Sequence, residues 1–120
     1  MKVMQKPVLE SLKDELLPVL LETEEETYTV YIHAYGTYHQ FHASRILLKN
    51  QESSQVDQLI AFNKYVATLI HSWDEKASEL FGGPYSFELA LTLCQHPSNA
   101  WLVNGLHEAL EINSKKQMQP

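Results

Sequence analysis

The chain has 120 residues, 44% hydrophobic and 20% charged, with a formal charge of −6 and a single cysteine, Cys94. Length and composition set one globular domain, 1–120, and exclude wholesale disorder. The acid excess, densest at Glu22, Glu24, Glu25 and Glu26, speaks against nucleic acid as a partner, since no Lys/Arg stripe with interleaved aromatics offsets it. A lone cysteine fits a reducing cytosol, "PVLESLKDELL" is broken by charge too early for a secretory leader, and no apolar run approaches the ~18 residues of a membrane span.

In chain order, residues 1–6 read as a loose tail. Pro7 suits a first helical position, and Leu9, Leu12, Leu16 and Leu17 recur at helical spacing, so a short helix is expected before Pro18. "PVLLETEEETYTVYIH" then reads as two β segments around an acidic turn. In the second, Tyr28, Val30 and Ile32 alternate with Thr27, Thr29, Tyr31 and His33, the period of a half-buried strand. Gly36 ends it. Thr37 and Gln40 form a capping box that predicts a helix from Tyr38 to about Lys49, with Tyr38, Phe41, Arg45 and Leu48 along one stripe.

Ser54 and Asp57 supply the next cap. Val56, Leu59, Ile60, Asn63, Val66, Ala67, Ile70 and Trp73 fall at three- and four-residue steps and predict a helix over 55–72 with one apolar face. Residues 74–85 read as a connection that turns at Gly82-Gly83-Pro84. Ser86 caps a helix that Pro97 stops near Gln95. Ser98 caps the last helix, with Trp101, Leu102, Leu106, Ala109 and Leu110 inward and Asn113 closing it; residues 114–120 read as a loose tail. The fold class that follows is α+β, mainly α: a small antiparallel hairpin, then a compact bundle of four to five helices.

Candidates for chemistry are few. "YIHAYGTYHQFH" holds three of the six histidines, and His39 and His42 at i, i+3 could share a metal with His33. The i, i+4 spacing of a His-Glu-x-x-His site is missing, however, and a strand running into a helix accounts for the cluster better than a metal site does. Cys94 lies in the last turn of its helix, where the negative end of the dipole disfavours a thiolate nucleophile. The glycine turn lacks the Lys-Ser/Thr of a phosphate loop, no Gly-x-Ser-x-Gly elbow occurs, and "ETEEE" is a solvated run. Asp74 and Glu75 after Trp73 could form an acid pair, but a helix-to-loop boundary commonly has this composition. No catalytic residue, metal site or cofactor is therefore assigned. Trp73 and Trp101 sit on apolar helix faces, where tryptophan serves either the core or an interface anchor.

One succession of residues has a counterpart elsewhere. Ile70-His71-Ser72-Trp73-Asp74 ends one helix, Tyr85-Ser86-Phe87-Glu88 opens the next, and Pro97 precedes Trp101-Leu102 in the last. Over roughly Tyr65 to Lys115 this resembles the small tail assembly chaperones of long-tailed bacteriophages, which share a Trp-Asp, an aromatic-Ser/Thr-x-Glu helix start and a Pro…Trp-Leu segment in that order. "TYTVYIH" before a helix is similar as well. The connection at 74–85 departs from the family in its length and in its apolar Leu80-Phe81.

The resemblance implies a non-enzymatic protein of the host cytoplasm, absent from the finished virion. It would coat the tape measure protein and recruit tail tube subunits, with self-association through the same faces. The elements expected to touch a partner are 55–72, 79–85 and 99–112, with Trp73, Leu80, Phe81, Phe87 and Trp101 as anchors. Two rivals remain open at this point: a metal-dependent enzyme built on His33, His39 and His42, and a generic acidic adaptor.

Overall fold

The computed structural model describes residues 15–118. Strand β1 (Leu16–Glu22) pairs antiparallel with β2 (Thr27–His33). Their turn is closed by Thr23, whose N–H and hydroxyl both donate to the Glu26 carbonyl and whose Oγ1 accepts from the Glu26 N–H, leaving Glu24 and Glu25 in water. Leu16 and Leu17 belong to this strand and not to a helix; the rest of the helix expected over 7–17, and the tail at 1–6, lie outside the described residues. Alternation explains the preference: Leu17, Val19 and Leu21 face the core while Leu16, Pro18 and Leu20 face away. Pro18 is tolerated because β1 is an edge strand. The ladder bonds fall at Glu15–Ala34 and Thr23–Glu26, so in this register the proline nitrogen points to the free edge, where no donor is needed.

Helices α1 (Tyr38–Lys49) and α2 (Gln55–Leu69) form a hairpin. Thr37 Oγ1 accepts from Gln40 N–H and Gln40 Oε1 accepts from Gly36 N–H, while the Thr37 hydroxyl donates to the Ala34 carbonyl. The helix expected over 55–72 stops at Leu69. Ile70–Trp73 is a third strand, β3, antiparallel to β2, so the sheet runs β1-β2-β3 where a two-stranded hairpin was expected. The apolar spacing misleads because Ile70 and Trp73 are buried in either conformation. What decides is pairing: Trp73 lies opposite Val30 and Ile70 opposite Ile32, with His71 bulged between.

The expected connection at 74–85 holds a further helix, α3 (Glu75–Phe81). Asp74 is its cap and not a member of an acid pair. Its Oδ1 accepts from Ala77 N–H at 2.8 Å and its Oδ2 from Thr29 N–H at 3.0 Å, fastening helix to sheet. Gly82 ends α3 at φ +96°, and both Gly82 N–H and Gly83 N–H donate to the Ser78 carbonyl. Helix α4 (Phe87–Gln95) starts at its Ser86 cap as expected. A single 3-10 turn, Pro97–Asn99, leads into α5 (Ala100–Met118). Here His96 Nδ1 accepts from Ser98 N–H, so histidine and not serine is the capping side chain. Asn113 does not end α5: its Oδ1 accepts from Tyr35 N–H at 2.9 Å, and the helix runs on through residues read as tail.

One core joins these elements: Tyr28, Val30 and Ile32 from the sheet, Val66, Ala67 and Leu69 from α2, Ala90 and Cys94 from α4, and Leu102, Val103, Leu106 and Leu110 from α5. The fold is thus α+β and mainly α, with three strands and five α-helices among the described residues.

Candidate interaction surface

The two halves of α2 differ in what covers them. Val66 and Ala67 are 0% exposed, whereas Val56, Leu59 and Ile60 on the same face are 67%, 60% and 48% exposed. The covering element is α4, which packs along α2 and ends with Gln95 donating from Nε2 to the Ile60 carbonyl and accepting from Asn63 Nδ2. Pro97 ends α4 by pushing His96 to an extended backbone at ψ 125°. At 1.5 Å per residue the nine residues of α4 span about 14 Å and the fifteen of α2 about 22 Å. Roughly one and a half turns of apolar face are left beyond the cover.

The stripe predicted on α1 also faces water. Tyr38, Phe41 and Leu48 are exposed, Arg45 lays its guanidinium 5.6 Å from the Phe41 ring centroid, and the buried side is marked by Ala43. Six of the exposed large apolar side chains thus lie on this helical hairpin. Its tip is well fixed. Asn50 Nδ2 donates to the Ile46 carbonyl, Ser54 Oγ accepts from Asp57 N–H, and Gln58 Nε2 donates to the carbonyls of Gln51 and Ser53. A cavity of about 350 Å³ between Leu47, Gln51, Gln58 and Phe62 flanks one side of the hairpin, and one of about 310 Å³ between Ile46, Lys49, Asp57, Ile60 and Lys64 flanks the other.

The five anchors expected from sequence separate into two groups. Buried Trp73 and half-buried Phe81 pack together at the core, with ring centroids 5.0 Å apart. Trp73 also edges Tyr85 and donates from Nε1 to the Gly83 carbonyl, and Phe81 edges Tyr28. Trp73 is 8% exposed and offers no free face to a partner. Leu80, Phe87 and Trp101 are exposed, but on three different helices, and among the described residues neither Phe87 nor Trp101 has an aromatic neighbour. Val56, Leu59 and Ile60, legible in the sequence only as part of one apolar face on a helix expected to touch a partner, are exposed and stand outside the five expected anchors. The signal was present: a helix stopped by Pro97 is too short to cover its neighbour.

The histidines are arranged by ring packing. His33, buried, stacks on His39 at 4.2 Å with 22° between planes, and His71 meets it edge-on at 5.4 Å. His42 packs on the Tyr38 ring instead of joining them. Stacked imidazoles turn faces to each other and not nitrogens, and among the described residues no group of three His, Cys, Asp or Glu side chains is gathered to hold a metal ion. Burial pushes the Cys94 thiol from 9.0 up to about 12, so it stays protonated at neutral pH. A polar cleft between Tyr35, Gln40, Tyr65, His107 and Glu111 measures only about 130 Å³, below the size of an organic-ligand pocket. Among the described residues no helix is long and apolar enough to cross a membrane.

Compared with known proteins, the chain matches no family model, no curated protein and no solved structure.

Proposed function

We propose that this protein is a non-enzymatic binding module, a tail assembly chaperone of a long-tailed bacteriophage that covers the tape measure protein and recruits tail tube subunits during assembly. On this reading it works in the host cytoplasm and is shed before the virion is complete. The observation that carries the proposal is the Val56–Leu59–Ile60 face, an apolar ridge on a firmly held helix that no described residue covers. Covering such side chains is worth roughly 1.5–3 kcal/mol each, which is the force a helix-shielding chaperone uses.

The residues that carry the family resemblance support the reading through architecture and not through contact. Trp73 anchors the aromatic core, Asp74 caps α3 and Ser86 caps α4. The anchors on offer are therefore Leu59 and its neighbours, with Leu80, Phe87 and Trp101 as further exposed apolar points.

Co-expression with a tape measure protein from the same genome, followed by affinity purification of the tagged chain, tests the proposal. Stoichiometric co-elution, together with a gain in tape measure solubility, is expected. Separate elution of the two wild-type proteins would overturn it.

A further inference from the structure

Charge on the helical hairpin is opposite in sign to charge on the chain. Helices α1 and α2 carry Arg45, Lys49 and Lys64 against Asp57, with Glu52 in the loop between them, a small cationic excess in a protein whose formal charge is −6. All three cations are exposed, and none is in an ion pair within the described structure. In α3 and α5 the bases follow or flank acids: Lys76 lies between Glu75 and Glu79, and Lys115 and Lys116 follow Glu108 and Glu111. Lys49 and Lys64 line the same cavity as Ile46, Ile60 and the single acid Asp57, so apolar groups and a two-to-one excess of cations share one groove at the edge of the exposed ridge.

We infer that the occupant of this surface is an amphipathic helix with acidic residues along the edge of its apolar face. The inference rests on the reading of the hairpin as a docking surface and adds the partner's chemistry. A straight i, i+3, i+4 ridge on α2 matches the side-chain rows of another helix. Free ammonium groups beside it select carboxylates at contact distance. Over the screening length of about 8 Å the acidic remainder of the chain repels the same partner, which steers it to the hairpin and away from every other face. A basic helix would meet the reverse: attraction to the turn at Glu22–Glu26 and repulsion at the only large apolar ridge on α2.

Two synthetic amphipathic peptides, sharing one leucine face and differing in glutamate or lysine along the polar edges, provide the test. Each is titrated against the full chain by fluorescence anisotropy, at low and at high salt. The glutamate peptide is expected to bind roughly tenfold tighter, with the gap closing at high salt. The double variant K49E/K64E, checked for an unchanged melting temperature, is expected to reverse the preference. Equal or tighter binding of the lysine peptide, with loss of both in L59S, overturns the charge inference and leaves the docking surface standing. Binding of neither peptide overturns both. Displacement of the glutamate peptide by a DNA oligonucleotide at physiological salt also overturns it, by assigning the cations to phosphate.

Discussion

The first and last turns of α2 have much the same apolar spacing and opposite surroundings. Around Val66 to Leu69 the helix is enclosed by the sheet, α4 and α5; around Val56 to Ile60 it is bare. A hydrophobic stripe therefore states that a face is to be covered, not by what. The cover on the buried half comes from the chain itself and ends where Pro97 ends α4. On the proposed reading the exposed half is left for another molecule, and its hydrogen-bonded tip would meet that molecule without large reorganisation.

Matched substitutions on the two halves break this comparison most sharply. Leu69→Ala removes a fully buried side chain and is expected to cost about 3 kcal/mol, whereas Leu59→Ala is expected to change stability by less than about 0.5 kcal/mol. Urea melts of the two variants read the difference; equal losses would mean that the first turns of α2 are covered after all. Asp74→Ala tests what holds the enclosed half together. It strips the α3 cap and the bond to Thr29 at once, and a loss of about 2 kcal/mol is expected in the same melts.

A smaller effect belongs to Cys94 in the enclosed region. The unfolded thiol ionises above 9.0 while the folded one keeps its proton to about 12. Its contribution is thus complete well below pH 9 and is lost as pH rises towards 12, by about 1 kcal/mol at pH 10. Burial raises Tyr28, Tyr65 and Tyr85 in the same direction. Cys94→Ala should flatten the onset of the decline between about pH 8 and 9, well below the tyrosines' ordinary value of 10.0; an unchanged slope would place the thiol in contact with water. Thr37→Ala, at the start of the hairpin, is expected to cost about 1 kcal/mol through its lost cap. Smallest of all is the expected stability change in Val56→Ser, close to zero, because the side chain is already in water.

Much of the fold was legible in the residues themselves. Thr37, Ser54 and Ser86 mark helix starts because a side-chain oxygen accepts the N–H three residues on, a strictly local event. The alternation in Thr27–His33 gave β2 for the same reason. What stayed hidden depends on partners distant in sequence. Ile70–Trp73 is a strand because β2 is there to pair with it, and Asp74 is a cap in part because Thr29 offers a second donor. Asn113 looked like a helix end and is instead a link to Tyr35, a contact across 78 residues. The site was legible only as a stripe. Which part of it is bare follows from the relative lengths of α2 and α4, a tertiary fact, and burial counts against Trp73 as an anchor while exposure makes Leu59 the candidate on the proposed reading.

The most direct measurement is affinity purification of the tape measure protein on wild-type chain and on the V56S/L59S double variant, with melting temperatures recorded for both. An unchanged melting temperature with loss of the complex is the outcome expected of an exposed docking ridge. Retention of the complex by the double variant at that same melting temperature would show that partners are held elsewhere on the molecule.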